Sequence, residues 1–173
     1  GWTQFPFGVS PIFCRKADGG YVWDVDDNRY IDWPMALGPI LLGHNYPSVT
    51  DAIKNQLNSG IAFSLPHEKE VVLTETLVDW FPYAEMARFG KNGSDATTGA
   101  VRVARAFTGK DIILCCGYHG WHDWFIGTTT RSAGVPENTK QLTIPYSYND
   151  IGELKRLLEE NRGAVAAIIM EPI

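Results

Sequence analysis

Hydrophobic and polar positions change their period along this chain. Between residues 11 and 33 they alternate: Ile12-Phe13-Cys14-Arg15-Lys16 is one strand-like run, Tyr21-Val22-Trp23-Asp24-Val25 a second, and Arg29-Tyr30-Ile31-Asp32-Trp33 a third. Asp18-Gly19-Gly20 and Asp26-Asp27-Asn28 are the turn signals between them. The pattern predicts a small antiparallel meander. Residues 34–46 lose the alternation, and Pro34, Gly38, Pro39, Gly43, His44 and Asn45 predict an irregular loop. Leu37, Ile40, Leu41 and Leu42 make it too apolar for a plain solvent loop, so it meets a partner, a ligand or its own domain.

A helical period follows. Residues 47–58 predict a helix with Pro47 at its start, Gly60 past its end, and Val49, Ile53 and Leu57 on one face. A second helix is predicted over 68–80, stopped by Pro82. Beyond it, short apolar runs alternate with helical patterns. Strands are predicted over 85–90, 111–116, 141–144 and 164–170, and helices over 95–107 and 151–160. That alternation predicts an α/β fold with a mostly parallel sheet and flanking helices. The chain divides into an N-terminal segment, 1–46, and the α/β part, 47–173. Residues 127–137 predict a long exposed loop, either a cover for a site or a solvated connection.

Net charge is −5 and no basic stripe is present, which argues against a nucleic-acid partner. No apolar span reaches about eighteen residues, so no membrane-spanning helix is predicted. Cys14, Cys115 and Cys116 are odd in number and two are adjacent, which predicts buried free thiols in a reducing cytoplasm. The chain starts at Gly1 and ends on Glu171-Pro172-Ile173, as a piece of a longer protein would.

The candidate chemistry lies where strands end. At Asn92-Gly93-Ser94 a turn opens the helix predicted over 95–107. Free backbone N–H groups and the positive end of a helix dipole make such a turn an anion site. Ser94 adds a hydroxyl donor there, or is only the N-cap. Tyr118-His119-Gly120 follows the strand over 111–116, and ligands of open α/β sheets gather beyond the carboxyl ends of strands. Tyr118 is there to stack on a planar ring, or the Tyr-His pair is packing. Glu171 ends the strand over 164–170, as a site carboxylate or as a solvent-facing one. His119, His122 and Asp123 match no zinc-ligand spacing, so no metal is predicted.

In order, these segments resemble the class III aminotransferases among the fold type I pyridoxal-phosphate enzymes, and within them the glutamate-1-semialdehyde 2,1-aminomutases. Residues 22–32 resemble that family's N-terminal meander. Gly38-Pro39 with Gly43-His44 resembles its substrate-side loop, and Ala62-Phe63-Ser64-Leu65-Pro66 the segment before its second helix. Residues 88–105 resemble its phosphate turn and helix, Gly117–Gly120 its ring-stacking turn, and Met170-Glu171-Pro172 a strand end of its sheet. The resemblance implies pyridoxal phosphate as cofactor and amino transfer between an amino donor and a carbonyl acceptor, or within one substrate. It implies that Gly93 and Ser94 hold the phosphate and Tyr118 stacks on the ring. His119 and Gly120 would shape that turn, Glu171 would lie near the cofactor's oxygen side, and Gly38 and Ser64 would lie on the substrate side. It implies a cytoplasmic homodimer. The family's Schiff-base lysine lies beyond the Glu-Pro motif, so none of Lys16, Lys54, Lys69, Lys91, Lys110, Lys140 and Lys155 takes that role. This chain departs from the family's Ser-Gly-Thr-Glu-Ala turn with Asn92-Gly93-Ser94-Asp95-Ala96, and has Ala36-Leu37 where the aminomutases carry Ser-Trp. Another fold type I enzyme, such as a racemase or decarboxylase, and an inactive truncated homologue are the alternatives.

Overall fold

The computed structural model describes residues 13–172. They form two compact units, divided between Val71 and Val72. Ile12 of the first expected strand lies outside the described residues.

The first unit contains the meander. β1 (Cys14–Asp18), β2 (Tyr21–Asp24) and β3 (Arg29–Ile31) pair antiparallel in that order. Asp24 builds the second turn. Its buried carboxylate accepts from the Asp26 and Asn28 N–H groups, from the Asn28 amide at 3.0 Å and from the Tyr30 hydroxyl at 3.0 Å. Those donors, Asn28 first, hold its pKa below the usual carboxylate range.

Residues 34–46 contain more order than the turn residues predict. Met35, Ala36 and Leu37 form a single left-handed turn, with φ of 43°, 55° and 64°. L-residues enter that region at a cost of roughly 1–2 kcal/mol each. Asp32 anchors both ends of the loop: Oδ1 accepts the Met35 N–H at 3.1 Å, and Oδ2 takes His44 Nε2 at 2.7 Å. α1 (Pro47–Leu57) follows, with Pro at the first turn as expected. α2 runs Glu68–Trp80.

The second unit holds α3 (Gly93–Thr108), β4 (Ile112–Cys116), α4 (Asp123–Ile126), α5 (Glu137–Lys140), β5 (Thr143–Pro145), α6 (Ile151–Glu160) and β6 (Val165–Met170). Its sheet is parallel, in the order β5-β4-β6. The fold is therefore α/β with a parallel sheet, preceded by an antiparallel meander. β4 is central, so Ile113, Leu114 and Cys115 are fully buried. Val101 of α3 and Trp124 and Phe125 of α4 close over Ile113 and Cys115. α3 ends on Gly109, left-handed at φ 66°, whose N–H closes on the Arg105 carbonyl.

One expected strand is absent. Residues 85–90 have extended composition but no ladder partner among the described residues, and an unpaired segment is not a strand. The loop after α4 is mostly exposed as expected, but Val135 is buried and pins it.

Of the three thiols expected to be buried, Cys115 and Cys116 are, but Cys14, at the start of the edge strand β1, is exposed. Burial pushes the Cys115 pKa up to about 11. A thiol raised in the folded state stabilises fully below the unfolded pKa and loses that contribution as pH climbs through the folded value. Urea unfolding should therefore show stability falling between roughly pH 8.5 and pH 11, and Cys115→Ala should flatten that arm. In the native protein a thiol reagent should label Cys14 alone.

Candidate functional site

α3 starts from a reciprocal cap. Asn92 Oδ1 accepts the Asp95 N–H at 3.0 Å, and Asp95 Oδ2 accepts the Lys91 N–H at 3.1 Å. The N-cap is Asn92, so Ser94 is released from that role. Ser94 is buried in the first helical turn, and its Oγ accepts the Trp121 N–H at 3.2 Å. Its own hydroxyl hydrogen meets no acceptor among the described residues. Nor do the N–H groups of Gly93 and Ser94. Three donors thus converge at the positive end of a 16-residue helix.

The facing wall is the turn after β4. Gly117 and Gly120 have φ of 86° and 106°. A Cβ on Gly120 would overlap Ser94 Oγ, and one on Gly117 would overlap Glu171 Cβ. Both glycines are therefore set by close approach as well as by backbone conformation. His119 is buried. Its Nε2 donates to the Cys116 carbonyl at 2.8 Å, and its ring stacks on Trp124 and meets Phe125 edge-on. Thr97 Oγ1 donates to the His119 carbonyl at 2.8 Å, tying helix to turn. Tyr118 is 60% exposed, with its ring perpendicular to Phe125 at 5.6 Å.

Between helix and turn lies a cavity of about 460 Å³. Asn92, Gly93, Ser94 and Thr97 wall one side and Tyr118–Trp121 the other. Its donor set fits a phosphate: two unpaired N–H groups, one hydroxyl hydrogen, and open space where a Cβ on Gly93 would stand.

Five of the residues singled out from sequence thus meet at one cavity: Gly93, Ser94, Tyr118, His119 and Gly120. Glu171 supports the turn from behind rather than walling the cavity. Its Oε2 accepts the Tyr118 N–H at 3.0 Å, and its own N–H extends the ladder to the Cys116 carbonyl at 2.9 Å. Gly38 and Ser64 belong to the first unit; Gly38 ends the left-handed turn at φ 116°, and Ser64 is exposed in a bend. Asn92, Thr97 and Trp121 were not singled out. Only Asn92 carried a sequence signal, an N-cap residue three positions before an acidic one.

The two glycines facing each other across this cavity should respond oppositely. Gly120→Ala meets Ser94 in a left-handed backbone and should lose about 2–4 kcal/mol. Gly93→Ala meets open space and should stay within about 0.5 kcal/mol. Denaturation midpoints of the two variants measure the difference.

The sequence pattern described as Aminotransferase class-III matches residues 6–173. The chain is 44% identical over 171 residues to a 3-aminobutyryl-CoA aminotransferase of Cloacimonas acidaminovorans, covering 98% of this chain and 41% of that protein. It is 43% identical over 178 residues to a glutamate-1-semialdehyde 2,1-aminomutase of Methanocaldococcus jannaschii, covering 96% and 42%. Among solved structures it superposes on the FumI protein of a Sphingopyxis species with a TM-score of 0.87 at 37% identity, covering 95% of this chain and 39% of that one. A structure described as a transaminase with PLP bound gives a TM-score of 0.88 at 27% identity, covering 96% and 42%. The chain spans about two fifths of the length of the curated relatives it matches. Over nearly its whole length it belongs to the class III aminotransferases.

Proposed function

We propose that the protein carrying this chain is a pyridoxal-phosphate enzyme that moves an amino group from an amino donor to a carbonyl acceptor, or within one substrate as an aminomutase does. One observation carries the reading: unpaired donors at Gly93 and Ser94 face a cavity whose other wall is the exposed ring of Tyr118. An anionic group and a planar ring on one ligand suit those two walls. Family membership supports the rest, as do relatives named for aminotransferase and aminomutase activities.

Each residue then has a task. Gly93 and Ser94 bind the phosphate through N–H groups and hydroxyl. Tyr118 would lie against the ring, its backbone N–H bonded to the Glu171 carboxylate and its own ring set edge-on to Phe125. His119 and Gly120 fix the turn. When bound, the pyridoxal ring draws electrons from the carbon that carries the amino group. Glu171 would lie near the ring's oxygen side, and Gly38 and Ser64 on the substrate side. Residues 1–46 would belong to the small domain, and 47–173 to the first part of the large one.

A homodimer completes the proposal. Its support is the apolar loop over 33–46, where Trp33 and Leu41 are 84% and 88% exposed. A cytoplasmic location is supported by three free cysteines. No helix among the described residues is long and apolar enough to cross a membrane.

The full-length protein should bind pyridoxal phosphate and, with an amino donor, hand its amino group to a carbonyl acceptor. Tyr118→Ala should weaken cofactor binding by about 0.5–1.5 kcal/mol beyond the loss of burial. Visible spectra and equilibrium dialysis read both. Racemisation or decarboxylation without amino transfer, or no cofactor binding, would overturn the reading. Sedimentation of the same protein tests the dimer, and a fully active monomer would refute it.

A further inference from the structure

Behind the cavity runs a hydrogen-bond relay that the proposed function does not use. Trp124, buried in the core, has one donor, Nε1–H, and directs it to Thr98 Oγ1 at 2.9 Å. Thr98 Oγ1 lies 2.8 Å from His122 Nδ1. The indole hydrogen takes one lone pair of the Thr98 oxygen, and the hydroxyl and Nδ1 share a second hydrogen bond. Nε2 faces Asp95 Oδ1 at 3.9 Å, and the other oxygen of Asp95 takes the Lys91 N–H. The relay therefore runs from the core through the second turn of α3 to the turn after β4, where the His122 ring stands beside Asp95 of the first turn of α3, beyond hydrogen-bond reach. It brackets the stretch that presents the Gly93 and Ser94 N–H groups.

We propose that His122 is a positioning residue for the phosphate cradle: through its hydrogen bond to Thr98, with its ring set beside Asp95, it holds the first turns of α3 in register with the turn that carries Tyr118. The inference rests on the pyridoxal-phosphate reading above. Ser94 and Thr97 each make one further contact across the same gap. Those two bonds fix the separation of the walls. His122 is the group that bonds Thr98 and stands beside Asp95, which is one residue after Ser94 and one turn before Thr98. Removing its ring frees the start of α3 to rotate, and so misdirects donors rather than deleting them. The consequence is selective for the ligand's phosphate: ring contacts depend on Tyr118, which Phe125 and Glu171 hold independently of His122.

The test uses the full-length protein and two ligands, pyridoxal phosphate and pyridoxal, with affinities from equilibrium dialysis. His122→Ala should weaken pyridoxal phosphate binding roughly tenfold, the scale of one lost hydrogen bond to a polar site, and leave pyridoxal binding unchanged. Thr98→Val should do the same, and the double variant should lose no more than either single one. His122→Asn, whose amide reaches the place of Nδ1, should recover most of the loss. Unchanged pyridoxal phosphate affinity in His122→Ala and Thr98→Val, equal losses for both ligands, or no recovery in His122→Asn would each overturn the assignment. Wild-type protein that binds neither ligand overturns the reading of the site itself, and the positioning role with it.

Discussion

The second unit is organised by one close approach. The first turn of α3 and the turn after β4 touch with backbone against side chain, and Gly120 leaves no room for a Cβ between itself and Ser94. The contact is what turns two ordinary loop ends into the walls of a cavity. It also decides which groups remain free. Trp121 N–H takes the Ser94 oxygen and Asn92 caps Asp95, so the polar demands of the helix start are met from one side only. What is left over, the Gly93 and Ser94 N–H groups and one hydroxyl hydrogen, faces the opening. Buried donors without partners are costly. Here they sit at a rim where water or an anion can satisfy them, so the donors stay free without destabilising the unit.

Parallel pairing brings the second half of the site to the same edge. β4 and β6 run in register, with Cys116 opposite Met170, so the residues after both strands emerge side by side. Glu171 continues the ladder by one bond to the Cys116 carbonyl, and its side chain folds over Gly117 to take the Tyr118 N–H. A carboxylate that accepts a backbone N–H stiffens the turn. Gly117 is required because that side chain occupies the space of its missing Cβ.

Much of this was legible in the sequence, and the exceptions share a cause. α1, α2, α3 and α6 carry local signals: Pro at the start, Gly after the end, a cap residue, an apolar stripe. The parallel sheet was legible from alternating runs, and the gathering of Gly93, Ser94, Tyr118, His119 and Gly120 from the rule that ligands collect at strand ends. What sequence did not reveal depends on contacts between distant segments. Residues 85–90 look like a strand but have no described partner. The left-handed turn over Met35–Leu37 defies local propensity and holds because Asp32 clamps the loop at both ends. The Thr98–His122–Trp124 relay joins residues more than twenty apart, and no spacing rule finds it.

The exposed apolar surface belongs to the same logic. Neither α1 nor α2 buries a side chain, and α3 leaves Val103 and Phe107 exposed opposite the face that Val101 puts into the core. An amphipathic helix normally spends its apolar stripe on its own sheet. α3 does so with one stripe and carries a second. A surface of this kind is far from the scattered exposed side chains of an ordinary monomer. The chain spans about two fifths of the length of the curated relatives it matches. The cavity walls, by contrast, are tied to each other by Thr97, Ser94 and His122, and one of them is braced by Glu171, through bonds wholly within the second unit. The geometry of the cavity is thus local to the second unit, and the exposed apolar side chains lie elsewhere on the same elements.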